Sequence, residues 1–191
     1  MAARRLAVIW IDAHADLNWP EVSPSGHIHG MPLGASLGRG PGALTGIGRE
    51  AVKVRNADTY LFGVRDLDPS ERDWISEAEI HCTTMATIDE RGLGTAACRM
   101  IDIIRRSGTD AVHLSFDVDV LDPAVLPGTG TPVRGGLSFR EAARLLRLLR
   151  DSDLPIRSLD WVELNPILDP SGASLGVAAE LLAIALGEET I

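Results

Sequence analysis

Leu6-Ala7-Val8-Ile9-Trp10-Ile11, followed at once by Asp12-Ala13-His14-Ala15-Asp16, is the stretch on which the fold turns. A short run rich in β-branched and aromatic residues that ends abruptly in polar ones reads as a buried strand. The polar residues then fall at its carboxyl end. Side chains alternate along a strand, so Asp12, His14 and Asp16 point the same way if the extended conformation persists that far. Two carboxylates and an imidazole converging in an acidic protein repel one another and lose hydration unless a cation holds them. A divalent metal is the simplest such cation. The plain alternative is a charged, solvated loop.

A second stretch weighs against that alternative. Ala111-Val112-His113-Leu114-Ser115-Phe116 is another strand-like run, and it ends in Asp117-Val118-Asp119, with Leu121-Asp122-Pro123 beyond. Two strands ending in aspartates at alternate positions is what a two-metal site needs, because some carboxylates must bridge both ions. The ligands are mostly oxygen with one nitrogen and no thiolate. That donor set favours Mn2+, then Zn2+ and Mg2+.

Working outward, 191 residues suffice for one domain with a proper core, and we expect a single domain over 1–191. Net charge is −9, which argues against a nucleic-acid partner. Cys82 and Cys98 are the only cysteines, so no disulfide framework exists and a reducing compartment fits. Met1-Ala2-Ala3-Arg4-Arg5 imitates the start of a signal peptide, but the apolar run that follows is short for one and ends in Asp12 and His14. No stretch approaches transmembrane length, so a cytoplasmic protein without a membrane partner is expected.

Along the chain, a Pro/Ser/Gly-rich loop from Leu17 to about Gly30 leads into a small-residue helix through Gly38. A helix is predicted over Thr45 to Arg55, and a strand over Asp58 to Val64 that ends in Arg65-Asp66-Leu67-Asp68-Pro69. Ser70 is placed to cap the helix carrying Glu71, Trp74 and Ile75. A short strand over Ile80 to Met85 and a long helix over Ile88 to Ser107 follow. Ser138 and Glu141 form a capping box for a helix over Phe139 to Arg150. The last strand is Ile156 to Val162, ending in Glu163-Leu164-Asn165-Pro166, and a final helix runs from about Gly172 to Leu186. Strands alternating with helices imply a parallel sheet covered on both faces, with the binding crevice at the strand carboxyl ends.

Taken together, these residues resemble the arginase family of ureohydrolases. The resemblance rests on Asp12-Ala13-His14-Ala15-Asp16, on Ser115-Phe116-Asp117-Val118-Asp119 and on Ser25-Gly26-His27-Ile28-His29-Gly30-Met31-Pro32. It extends to Gly130-Thr131-Pro132-Val133-Arg134-Gly135-Gly136-Leu137 and to Glu163-Leu164-Asn165-Pro166. It implies a three-layer α/β/α fold with a mainly parallel sheet. The implied activity is manganese-dependent hydrolysis of the guanidinium group of L-arginine to L-ornithine and urea, by a hydroxide bridging two Mn2+ ions. Trimers or hexamers are the implied homo-oligomers.

Carried over by the resemblance, Asp12 and Asp117 would bridge the ions, His14 and Asp119 would complete one, and Asp16 would bind the other. Asp16 would also pass a proton to the leaving amine, and His29 would shuttle protons to solvent. Glu163 would pair with the guanidinium, and Thr131 would add a hydrogen bond. Asp66 and Asp68 would hold the α-amino group, and Asn18, Ser23 and Ser25 the α-carboxylate, which favours L-arginine over agmatine. His27 stands where the family usually carries Asn, and Val120 where Gly is common.

The resemblance also implies an N-terminal segment with three strands and a Gly-Gly-Asp-His motif, whose His ligates the ion shared by Asp12, Asp16 and Asp117. No such motif occurs in these 191 residues. The sheet is therefore expected to lack those N-terminal strands, with the Ile156 to Val162 strand as an apolar edge. Two alternatives stand beside the arginase reading: a non-catalytic half-domain with an incomplete metal site, and a ureohydrolase for another guanidino compound such as agmatine. Other polar residues have plainer readings. His113 is expected as a hydrogen-bonded core histidine, His81 as structural, Asp122 as a turn residue, and Trp10 and Trp161 as packing. Asp66, Asp68 and Glu71 could equally complement a helix dipole.

Overall fold

The computed structural model describes residues 5–48 and 52–188. Five strands form one sheet, wholly parallel: β1 (Leu6–Ile11), β2 (Thr59–Val64), β3 (His81–Thr84), β4 (Ala111–Asp117) and β5 (Ile156–Val162). Their spatial order is β3-β2-β1-β4-β5. The chain moves outward from β1 to β3, then crosses back to place β4 against the other side of β1. The strand order therefore reverses between β1 and β4, and the crevice at their carboxyl ends is where such sheets bind ligands.

Helices cover both faces: α1 (Pro32–Ser36), α2 (Gly42–Thr45), α3 (Pro69–Glu77), α4 (Met85–Arg91), α5 (Leu93–Ser107), α6 (Phe139–Arg150) and α7 (Ala173–Ala185). The larger core lies between one sheet face and α4 to α7. Ile9, Ile11, Phe62, Leu114 and Phe116 meet Ile101, Ile104, Leu145, Leu146, Leu149 and Leu181 there. On the opposite face Val8, Trp10 and Leu61 pack against Leu33, Leu37 and Trp74 from α1 and α3. The layering is α/β/α. None of the helices among the described residues is long and apolar enough to cross a membrane.

Local chemistry accounts for the elements. The Ser138–Glu141 capping box opens α6, and its apolar stripe, Ala142, Ala143, Leu145, Leu146 and Leu149, is buried. The long helix predicted from Ile88 to Ser107 is instead two helices. Gly92, at φ 79°, ends α4 and starts α5, a conformation that a residue with a Cβ rarely adopts. The helix predicted over Thr45 to Arg55 is not found in the described part of that range. α2 stops at Thr45, before Gly46 and Gly48, and residues 49–51 lie outside the described residues. Asp68, not Ser70, is the N-cap of α3. Pro69 takes the first helical position, and Glu71 reaches back to the Asp68 backbone N–H at 3.0 Å.

Candidate metal centre and its cavity

The parallel register sets Trp10 beside Ser115 and Ile11 beside Phe116, so the residues just past β1 and at the end of β4 emerge together. Asp12, Asp117 and Asp119 are all buried there. One carboxylate oxygen of Asp12 accepts the His14 backbone N–H at 2.7 Å, and the other accepts the indole N–H of Trp10 at 2.8 Å. His14 Nδ1 lies 3.0 Å from Asp119 Oδ2 and 3.4 Å from Asp12 Oδ1. Asp119 is also held by the Ala13 N–H at 3.1 Å and the Thr131 hydroxyl at 3.0 Å, while its own N–H donates to Asp117 Oδ1 at 2.8 Å. Ligand atoms from Asp12, His14 and Asp119 fall within 4.8 Å of one another, close enough to share an ion.

Strand alternation does not deliver Asp16. β1 ends at Ile11, and Asp16 takes a left-handed conformation, φ 52°, that non-glycine residues visit sparingly. Its carbonyl is tied to the Gly34 N–H at 2.9 Å, and the next N–H, of Leu17, goes to buried Glu71 at 2.9 Å. Glu163 is likewise left-handed, at φ 62°, just past β5.

Electrostatics describe a cluster short of positive charge. Burial, with Asp12 and Asp119 adding repulsion, pushes the Asp117 carboxyl up to about 11. Burial also raises Asp12 to about 6, partly offset by its bonds from His14, and lifts Asp16 well above the usual carboxylate range. His14 is opposed by its own burial, yet hydrogen bonds to Asp119 and Asp12 hold its imidazolium to about 11. Asp119, despite burial, is kept low by that same imidazolium. Four buried or half-buried carboxylates have one imidazolium in contact and the Arg65 guanidinium nearby, so the group is still short of positive charge and must retain protons or accept a cation. Its oxygen donors and single imidazole fit a hard or borderline divalent ion.

Above the cluster opens a cavity of about 270 Å³. It is lined by His14, Asp16, Asn18, Ser25, His27, His29, Asp66, Asp68, Glu71, Asp117, Asp119, Thr131 and Glu163, among others. Every predicted site residue lines it except Asp12, which lies beneath, and Ser23, whose hydroxyl accepts the Gly26 N–H at 3.0 Å and lies 3.5 Å from the Ser25 hydroxyl. The His27 and His29 rings sit 5.4 Å apart at the exposed mouth. Asn18 donates to Asp68 at 2.8 Å, joining the two proposed ends of an amino-acid site. Thr131 spends its hydroxyl proton on Asp119.

The sequence reading missed Trp10, which serves both as packing and as a donor to Asp12. A tryptophan two residues before a strand-end aspartate shares its parity, which was the available signal. His113 is not fully buried: it bonds Ser158 at 2.7 Å and Asp160 at 3.0 Å on a half-exposed part of the sheet. Asp122 is a turn residue as expected, accepting the Ala124 N–H at 2.9 Å.

With that geometry in place, comparison with known proteins is informative. The profile of the Arginase family matches residues 1–187. The arginase of Bacillus caldovelox is 45% identical over 185 residues, covering 97% of this chain and 61% of the relative. That of Staphylococcus aureus strain COL is 46% identical over 183 residues, covering 96% and 60% respectively. A crystal structure of the Bacillus subtilis arginase superposes with a TM-score of 0.93 at 43% identity, over 98% of this chain and 64% of that one. The chain thus spans about three fifths of the length of the curated relatives it matches.

Proposed function

The chain belongs to the arginase family, and on that premise we propose that it hydrolyses the guanidinium group of L-arginine to L-ornithine and urea, with Mn2+ as its metal. The observation that carries this reading is the meeting of Asp12, His14 and Asp119 at the floor of a cavity lined by further acids, Asn18 and Thr131. Asp12, His14, Asp16, Asp117 and Asp119 would hold the metal. Bound divalent ions would supply the Lewis acidity that makes a water nucleophilic near neutral pH.

The remaining work falls to side chains. Glu163, in the cavity lining, would present a carboxylate to a planar guanidinium, a pairing that two parallel N–H···O contacts stabilise. Asp66 and Asp68 line the same cavity and would hold the α-amino group, with Asn18 and Ser25 offering polar contacts for the α-carboxylate. Ser23 reaches that end through the Ser25 hydroxyl. Asp16 lines the cavity beside the other proposed ligands, where its carboxylate would be placed to take a proton and return it to the departing amine. His29, exposed at the mouth, is placed to exchange protons with solvent. Agmatine, lacking the α-carboxylate, would leave the Asn18 and Ser25 contacts unused.

One observation favours a narrower reading. Among the described residues a single group of three ligands gathers tightly, which suits one well-held ion. A half-domain with an incomplete centre would show the same. Manganese loading followed by dialysis, then urea release from arginine, decides between them. Two ions per chain and urea production support the enzyme. A Mn2+-loaded full-length protein that releases no urea from arginine or any guanidino analogue overturns it.

A further inference from the structure

We propose that Arg65 is a positioning residue for this centre: its guanidinium pins the turn that carries Asp119 to the loop that carries Thr131. The inference rests on reading the Asp12–His14–Asp119 group as a metal site. Arg65 directly follows β2 and does not line the cavity, so it acts through other groups. Its Nη2 donates to the carbonyls of Asp119 at 2.7 Å, Val133 at 2.8 Å and Leu121 at 3.2 Å. Nη1 donates to Val120 at 3.2 Å and Gly63 at 3.3 Å.

These five carbonyls come from three separate segments, and the four N–H groups on the two terminal nitrogens of a planar fork reach them with one Nη2 N–H shared between two carbonyls. A lysine ammonium has three protons on one atom and cannot. The seat is shaped for that fork. A Cβ on Gly136 would stand 2.6 Å from Arg65 Nη2 and 2.5 Å from the Val120 carbonyl. One on Gly63 would stand 2.5 Å from a Val120 methyl. Only hydrogen fits at either position.

The consequence for the centre is direct. Arg65 fixes the Asp119 peptide through its carbonyl, and fixes Val133 two residues beyond Thr131. The Asp119 carboxylate is held from the other side by the Thr131 hydroxyl. The Asp119 peptide and the Thr131 loop therefore both lead back to one guanidinium, while the Ala13 N–H and His14 hold the carboxylate from the β1 side. The loop does not depend on Arg65 alone for its fold, since Leu137 N–H bonds Val120 O at 2.9 Å and Asp122 N–H bonds Leu137 O at 3.0 Å. Removing the fork should loosen the geometry without unfolding the chain.

The test uses Arg65→Lys and Arg65→Gln in the full chain, with Mn2+ affinity read by isothermal titration and local order by hydrogen exchange. Outer-shell partners of metal ligands are each worth about 10- to 100-fold in affinity, and we expect a loss in that range for both variants. Exchange should quicken in residues 118–122 and 130–137 while the five strands keep their protection. Arg65→Lys binding Mn2+ as tightly as the unaltered protein overturns the inference and leaves the proposed function standing. Loss of protection throughout the sheet also overturns it, since Arg65 would then be a general stabiliser. An unaltered protein that holds no Mn2+ removes both.

Discussion

His14 lies just past the end of β1 and His113 lies within the adjacent β4, and each is 3.0 Å from an aspartate. Their side chains are equally accessible, 25% and 26% exposed. What separates them is the acid. Asp119 is 1% exposed and stands among Asp12, Asp16 and Asp117, whereas Asp160 is 45% exposed and is bonded to His113. A solvated histidine–aspartate pair screens its own charge and contributes little. A buried group with more carboxylates than cations stores repulsion that a dication can relieve. The comparison teaches that a histidine beside an aspartate is not in itself a site. Surplus buried charge at a strand end is what calls for a cation.

The largest effect should come from removing one of those buried charges. Asp119→Asn keeps the shape but loses the oxygen that meets His14 and Thr131, and Mn2+ affinity by isothermal titration should fall by about 100-fold or more. Equal weakening by Asp160→Asn would erase the distinction between the two clusters.

A second test uses protons. In the metal-free fold, hydrogen bonds to Asp119 and Asp12 push His14 up to about 11 from an ordinary 6.5, and burial pushes Asp117 up to about 11 from 3.8. Both raised values mean that the folded chain binds more protons than the unfolded one above neutrality. Stability from these groups is complete below the unfolded values and is lost as pH rises toward the folded ones. With chelator present, Tm should therefore drop between pH about 6.5 and about 9, and Mn2+ should restore it. Calorimetric loading in two buffers of different ionisation enthalpy should show proton release. A Tm flat across that window would mean the cluster is not short of positive charge.

Trp10→Phe sharpens the comparison at smaller amplitude. It keeps an aromatic ring in the core but removes the pyrrole ring and the N–H that holds Asp12 Oδ2, so metal affinity should weaken by about tenfold and Tm should fall modestly from the lost packing. The smallest effect belongs to the other cluster. His113→Gln should change unfolding free energy by less than about 1 kcal/mol in denaturant titration and leave metal affinity untouched.

Much of this was legible in the residues. Leu6 to Ile11 and Ala111 to Phe116 announce strands because buried parallel strands must be apolar on both faces, and the acids after them mark the carboxyl ends. The α6 capping box is equally local. Prediction failed where a single residue's backbone conformation decided the matter. Gly92 at φ 79° divides a helix whose side-chain periodicity runs on. Asp16 reaches the cavity through a left-handed turn that alternation along β1 does not foresee.

By itself, the sequence determined the strand and helix alphabet, the acids at two strand ends and the surplus of negative charge, because these follow from side-chain chemistry and short-range periodicity. Only the tertiary structure decided which acids meet. The reversal of strand order between β1 and β4 brings Asp12 to Asp119, separated by more than a hundred residues of chain, and leaves His113 beside Asp160 on an open face. Likewise, an arginine that the sequence places merely after a strand becomes a clamp on five carbonyls only when two distant segments, 119–121 and the loop at Val133, pack against it. Contacts between distant segments depend on register and packing, and no local pattern encodes them.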